Sequence, residues 1–235
     1  MEGFTYTNIF ETKGIEYLVI LSFFAVLIPV WLIMNRKTKQ EKSGKLAGFV
    51  TADSIKIPQG LFFSKYHTWA YLGANGEAKV GVDDFLLRFT GDVTISHFKN
   101  PGEKINKGEV LTLINKNGKN LRILSPISGE IQKENTSVFE NQATLKTDPY
   151  KLGWMYSIKP SNWKAETNSY YLAEDATNWA KQELLRFKDF LSVSVQKYMP
   201  QPSTIVLQDG GEIADQALAE LPEEVWQEFQ DKFLN

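Results

Sequence analysis

Cysteine is absent from this chain of 235 residues. That excludes disulfides, thiolate metal sites, cysteine-ligated iron–sulfur clusters and covalently attached c-type haem. Histidine is almost as scarce. His67 and His97 are the two, far apart in sequence, which argues against an all-histidine metal site or a bis-histidine haem and leaves each as a structural or surface residue. A dominant charge of one sign is missing too: 26 basic against 28 acidic side chains give a net charge of −2, unlike a general nucleic-acid binder. The chain also lacks a phosphate-cradling glycine loop, a His-Glu-x-x-His helix and a nucleophile elbow. Asp83 and Asp84 are adjacent carboxylates, read as a solvated turn and not as an acid–base pair. No catalytic and no metal-ligating residue is assigned, and the chain is not read as an enzyme.

One stretch lacks charge altogether. "YLVILSFFAVLIPVWLIM", from Tyr17 to Met34, is polar inside its edges only at Ser22. As a helix it is roughly 27 Å long, close to the hydrocarbon thickness of a bilayer. It has no polar stripe of the kind a core helix carries. Pro29 is a candidate kink and Trp31 an interfacial anchor. Arg36, Lys37, Lys39, Lys42 and Lys45 crowd its C-terminal side, whereas Glu2, Glu11 and Glu16 face Lys13 on the other. The positive-inside rule then places the N-terminus outside and the main domain in the cytoplasm. No small-x-small cleavage site follows, so the run reads as an anchor and not a leader. The expectation is a single-pass protein of the inner, cytoplasmic membrane.

From about Ile55 to Pro160 the texture changes. "TWAYLG", "AKVGV", "DVTISHF", "EVLTLIN", "LRILSP" and "GEIQKE" read as strands, split by turn-forming residues. Many short strands of this kind predict a compact β domain. Within it, "VLTLINKNGKNLRIL" predicts a hairpin turning at Asn117-Gly118, with Lys116 and Lys119 on either side. After Trp163 the period becomes helical. Leu172, Ala176, Trp179, Ala180, Leu184, Phe187, Leu191 and Val195 form one stripe, ending near Tyr198 before Pro200 and Pro202. That stripe looks too long for the β domain alone, which leaves part of it for a partner. Between Asp209 and Asp231 lie eight carboxylates and no basic residue. Val225, Trp226, Phe229 and Phe233 nevertheless keep helical spacing, with Pro222 suited to the first turn. A docking helix is preferred over an unstructured tail.

The β region resembles the H protein of the glycine cleavage system, a carrier of the biotinyl/lipoyl-domain type, over roughly Gly60 to Trp163. "SKYHTWAYL" is similar to the family's opening strand, and "VGVDDF" with "TGDV" to its Val-Gly-Ile-Thr segment and following Gly-Asp. "NPGEKINKGEVL" resembles its Gly-x-x-Val-x-x-Gly pattern, "SPISGEI" its return strand, and "TDPYKLGWMYSIKPSNW" its closing motif. The resemblance implies a mainly β, lipoyl-domain-like barrel-sandwich hybrid, here with an N-terminal transmembrane helix and a C-terminal helical extension. It also implies lipoate in amide linkage to a lysine at the hairpin apex. Counted back from Ser125-Pro126, that lysine falls on Gly118 and its preceding glutamate on Asn115. Lys119 is one residue late, and in a hairpin such an offset turns a side chain to the other face.

The chain therefore divides into an extracytoplasmic N-terminus (1–15), a transmembrane helix (16–35), a basic juxtamembrane linker (36–54), an H-protein-like domain (55–165), an amphipathic helix (166–199) and an acidic tail (200–235). Two readings stand. In the first, the chain is a non-catalytic, membrane-anchored subunit or adaptor without a cofactor, with a membrane redox or respiratory assembly as its expected home by analogy. Its partner-contact candidates are Trp226, Phe229 and Phe233 on the tail and Lys116, Lys119 and Arg122 on the hairpin. From Ser96 to Lys133, Lys99, Lys104, Lys107, Lys116, Lys119, Arg122 and Lys133 outnumber Glu103, Glu109 and Glu130, a basic excess suited to anionic headgroups or an acidic partner. In the second, it is a membrane-tethered carrier with lipoate on Lys119; Lys116 is the weaker site. Nucleic acid is not an expected partner of either.

Overall fold

The alternating segments form strands because their apolar residues recur every second position, so that one face of each can be buried. The computed structural model describes residues 9–34, 49–199 and 213–235. All six expected strands are present: β3 (Thr68–Leu72), β4 (Ala78–Val82), β5 (Thr94–Ser96), β7 (Val110–Lys116), β8 (Lys119–Leu124) and β9 (Gly129–Glu134). Shorter strands complete the set: β1 (Phe49–Val50), β2 (Phe62–Phe63), β6 (Lys104–Ile105), β10 (Tyr156–Pro160) and β11 (Ile213–Ala214). A six-stranded antiparallel sheet runs β2-β3-β4-β10-β9-β6, and a three-stranded one runs β5-β7-β8. Ala70, Val80, Val82, Ile131 and Ile158 from the first join Ile95, Leu111, Ile114, Leu121 and Ile123 from the second in one buried cluster.

Short helices fill the connections: α2 (Asp84–Thr90), α3 (Thr136–Glu140), α4 (Ala143–Thr147) and α5 (Trp163–Thr167). The Asp83-Asp84 pair is not a solvated turn. Asp83 is the N-cap of α2, its Oδ1 accepting from the Leu86 amide at 2.9 Å. Both aspartates are buried, which is tolerated because their oxygens are used. Asp84 Oδ2 accepts from the Lys56 amide at 3.0 Å and lies 3.5 Å from Arg88 Nε.

The long helix α6 (Ala173–Tyr198) ends where Pro200 and Pro202 predict. The N-terminal part of its stripe, Ala176, Trp179 and Ala180, covers Leu61, Phe63 and Trp69. The C-terminal part meets α7 (Glu223–Phe233), where Phe187 and Phe190 contact Phe229 and Phe233 at centroid distances of 5.4 to 6.0 Å. The partner expected for the far end of the stripe is thus the chain's own C-terminal helix. The C-terminal segment is fastened again before α7. β11 pairs with β1, Phe49 opposite Ala214 and Val50 opposite Ile213, and the amides of Gln216 and Leu218 donate to the carbonyls of Arg88 and Phe89.

By contacts the chain separates into two units, Met1–Leu46 and Ala47–Asn235. In the first, helix α1 (Ile9–Met34) contains Pro29, and its described side chains, Tyr17 to Trp31, are exposed. Among the described residues no helix is long and apolar enough to cross a membrane, so the span expected over 16–35 is not supported there. The basic flank Arg36 to Lys45 lies outside the described residues.

Gly81 gives a direct test of the sheet packing. A Cβ added there would sit 2.7 Å from the Trp69 indole on the neighbouring strand. Gly81→Ala is expected to destabilise the β domain by about 1–3 kcal/mol, the usual range for overpacking. The check is the denaturant midpoint followed by tryptophan fluorescence; an unmoved midpoint would mean that Trp69 does not pack on Gly81.

Candidate functional site

The hairpin formed by β7 and β8 closes through Asn117 and Gly118, both in the left-handed region at φ of 51° and 85°, as a two-residue primed turn requires. Lys116 and Lys119 face each other as the last cross-strand pair. Gly118 occupies the turn where the H-protein resemblance places the modified lysine, so no side chain projects from that position.

Neither flanking lysine extends freely. Lys116 Nζ donates to the Asp92 carbonyl at 2.7 Å. Lys119 Nζ donates to two carbonyls of the C-terminal segment, Ala219 at 2.7 Å and Leu221 at 2.8 Å, and sits 5.0 Å from the centre of the Trp226 indole. Burial lowers its pKa from the ordinary lysine value, the charge of Lys116 acts in the same direction, and Glu220 opposes both. Lys119 is therefore held by backbone dipoles and an aromatic face, without an ion pair among the described residues.

Strand β8 is the outer strand of its sheet, and α7 lies against it. The Gln230 side-chain amide supplies the missing ladder: its Oε1 accepts from the Arg122 amide at 2.7 Å and its Nε2 donates to the Arg122 carbonyl at 3.2 Å. Trp226, Phe229 and Phe233 are buried, at 1 %, 0 % and 1 % exposure. As free partner-contact residues they are corrected: they hold the tail to this same chain, and the Trp226 indole N–H donates to the Leu218 carbonyl at 2.8 Å. Of the six candidates, Lys119 meets Trp226 of α7, Arg122 joins α7 through its backbone and Gln230, Phe229 and Phe233 pack on α6, and Lys116 is turned away toward Asp92.

Much of the expected basic surface is also engaged. Lys99 pairs with Glu109 at 2.5 Å, holding that carboxyl below its ordinary value. Lys107 donates to the Glu166 carbonyl and lies over the Tyr170 ring. The two histidines are well separated in role. His97 is 3.0 Å from Glu134 and stacks on Phe139. His67 is fully buried, with φ of 58°; its Nδ1 is 2.8 Å from Asp83 Oδ2, and its ring stacks on Phe85. His67 Nε2 has no hydrogen-bond partner, Glu183 Oε2 being 3.9 Å away. Among the described residues no group of three or more histidine, aspartate or glutamate side chains is placed to hold a metal ion.

The family model "Glycine cleavage H-protein" matches residues 61–183. The chain belongs to the glycine cleavage H-protein family. A probable glycine cleavage system H protein of Thermococcus gammatolerans is 31% identical over 125 residues, covering 53% of this chain and 92% of its own. One from Pyrococcus abyssi is 29% identical over 132 residues, covering 56% and 98%. The glycine cleavage system H protein of Hydrogenovibrio crunogenus is 31% identical over 104 residues, covering 44% and 81%. Among solved structures, the H protein of Mycobacterium marinum is similar with a TM-score of 0.44 and 27% identity, over 54% of this chain and 98% of that one. The matched region stops inside α6, so α7 and the rest of the C-terminal segment lie outside it.

Sequence reading singled out Lys119 and Trp226 but not Gln230, Ala219 or Leu221. A lone glutamine on a helix and two backbone carbonyls carry no pattern that could have marked them. If the hairpin is sealed in this way, Lys119 is expected to acylate about tenfold or more slowly than the exposed Lys79 with an N-hydroxysuccinimide ester, read by peptide mass mapping. Trp226→Ala is expected to erase that difference and to destabilise the fold by about 3–5 kcal/mol. Equal labelling of Lys119 and Lys79 in the unaltered chain would sink the idea.

Proposed function

We propose that this H-protein family member is a non-catalytic, membrane-anchored adaptor or complex subunit that uses the family fold for protein contacts and does not carry lipoate on its hairpin. The observation that carries the reading is the Lys119 ammonium bound by the Ala219 and Leu221 carbonyls beneath Trp226. A family carrier presents its lysine at the apex, so that a long arm can travel between active sites. Here the apex is Gly118, and the neighbouring lysine is turned back along the sheet. No thiol is present to take the dithiolane's place. The anchor rests on the uncharged run from Tyr17 to Met34, the basic flank from Arg36 to Lys45 and the acidic N-terminal side. These favour a single pass through the cytoplasmic membrane with the main domain on the cytoplasmic side. A membrane redox or respiratory assembly as its home is an analogy from the family's metabolism.

A second reading, a membrane-tethered lipoyl carrier modified on Lys119, is favoured by the family membership itself. Intact mass of the chain purified from its native membrane, with mapping of the peptide across Asn115 to Arg122, separates the two. An unmodified peptide is expected, in cells whose authentic H protein is lipoylated; a lipoyl increment on Lys119 would make this chain a carrier. Membrane association is checked separately. The chain is expected to resist alkaline carbonate extraction and to be released once residues 9–34 are removed.

A further inference from the structure

With the hairpin closed by the chain's own C-terminal segment, an adaptor must meet its partner elsewhere. The outer face of the six-stranded sheet provides such a place, bordering the Leu61–Trp69 cluster that α6 covers. A groove of about 360 Å³ lies there between Leu61, Trp69, Tyr71 and Tyr150, rimmed by Lys79 and Lys151. Trp69 and Tyr71 point to the same side of β3, and Lys79 stands opposite Tyr71 on β4.

The walls are fixed before anything binds. The Trp69 indole N–H donates to the Val82 carbonyl at 3.0 Å, and the ring lies on Gly81, where no side chain fits. The Tyr150 hydroxyl donates to the Lys56 carbonyl at 2.6 Å and accepts from the Asp84 amide at 2.9 Å. Burial raises the Tyr150 pKa well above the ordinary tyrosine value. Trp69 is fully buried and backs the groove, Tyr150 is half-buried, and Tyr71 stands 47 % exposed beside them. Rigid aromatic anchors of this kind lower the ordering cost of association and dominate binding energy at interfaces.

The rim is one-signed. Lys151 and Lys79 are exposed, Lys79 lying 5.1 Å from the Trp154 ring centre, and neither is in an ion pair among the described residues. Glu77 and Asp148 lie outside the groove's lining, Glu77 accepting from the Ser157 hydroxyl and Asp148 from the Lys151 amide. No carboxylate lines the groove. Charge complementarity therefore selects an acidic occupant, and a concave aromatic floor selects an inserted side chain over a flat layer of headgroups.

We propose that this groove docks an acidic segment of a partner protein, which inserts one aromatic or branched apolar side chain between Tyr71 and Tyr150 and sets its carboxylates on Lys79 and Lys151. The proposal rests on the adaptor reading, because a carrier would meet its partners through the arm. The test is selection from a random displayed dodecapeptide library against the full chain in zwitterionic nanodiscs. Peptides that pair Asp or Glu with an apolar residue are expected to be enriched, and to lose about tenfold or more in affinity for a Tyr71→Ser/Lys151→Glu variant whose unfolding midpoint is unchanged. No enrichment, enrichment without acidic bias, or equal binding to the variant overturns it. So does adsorption of the chain to phosphatidylserine vesicles that the same variant abolishes while no peptide is selected, which assigns the patch to lipid. The mass of Lys119 in the same preparation keeps the two questions apart: a lipoylated lysine ends the adaptor reading whatever the groove binds.

Discussion

An outer strand with open amides and carbonyls invites another backbone, and β8 would be such a strand were it not for Gln230. Its side-chain amide reproduces one rung of a sheet ladder on Arg122, which both satisfies the strand and denies it to other chains. The rest of the C-terminal half depends on this seat. Phe229 and Phe233, one helical turn apart on α7, are brought against Phe187 and Phe190, and Phe187 in turn packs on Phe85 and Phe89 of α2. The pairing of β11 with β1 holds the same segment from its other end. A tail with eight carboxylates between Asp209 and Asp231 is thus ordered mainly by apolar burial and backbone hydrogen bonds. Its ion pairs, Glu228 with Lys197 of α6 and with Lys232 of α7 itself and Asp215 with Arg88 of α2, do not involve the basic hairpin it covers.

An acyl arm on Lys119 would disturb that seat. Amide linkage would remove the ammonium charge and two of its three donors, leaving the Ala219 and Leu221 carbonyls short of partners. An unpaired buried acceptor costs more than the net worth of the bond it lost. On the proposed adaptor reading, family membership carries the fold without the family's chemistry. The fold extends over the matched region, but chemistry belongs to the site, and here the site is filled from within the chain.

The strands and the long helix were legible in the sequence because both follow a simple period: alternation in "AKVGV" and "LRILSP", and three- and four-residue spacing from Ala176 to Val195. The hairpin was legible from Asn117-Gly118, whose dihedral demand few other residue pairs meet. The destination of the tail was not. Val225, Trp226 and Phe229 announce an apolar helical face but not what covers it, since the answer lies about a hundred residues upstream, on β8. Asp83 misled for a related reason. Adjacent carboxylates read as solvated, yet one caps α2 while pairing with His67, and only the fold brings that histidine, sixteen residues earlier, under the cap. The groove escaped as well, because Trp69 and Tyr150 belong to motifs whose resemblance pointed to the carrier scaffold and not to a surface.

The proposed anchoring would bear on how strong the proposed groove contact has to be. One inserted side chain and two rim lysines form a contact below the standard interface size, the range of transient encounters. Exposed charges at the rim contribute more to steering and selectivity than to affinity. Free in solution, a contact of that kind would be lightly populated. On the proposed membrane-anchored reading, a chain held to the same bilayer as its partner would meet that partner at an effective concentration set by the tether. Under that proposal a weak, charge-selected contact would be sufficient for occupancy.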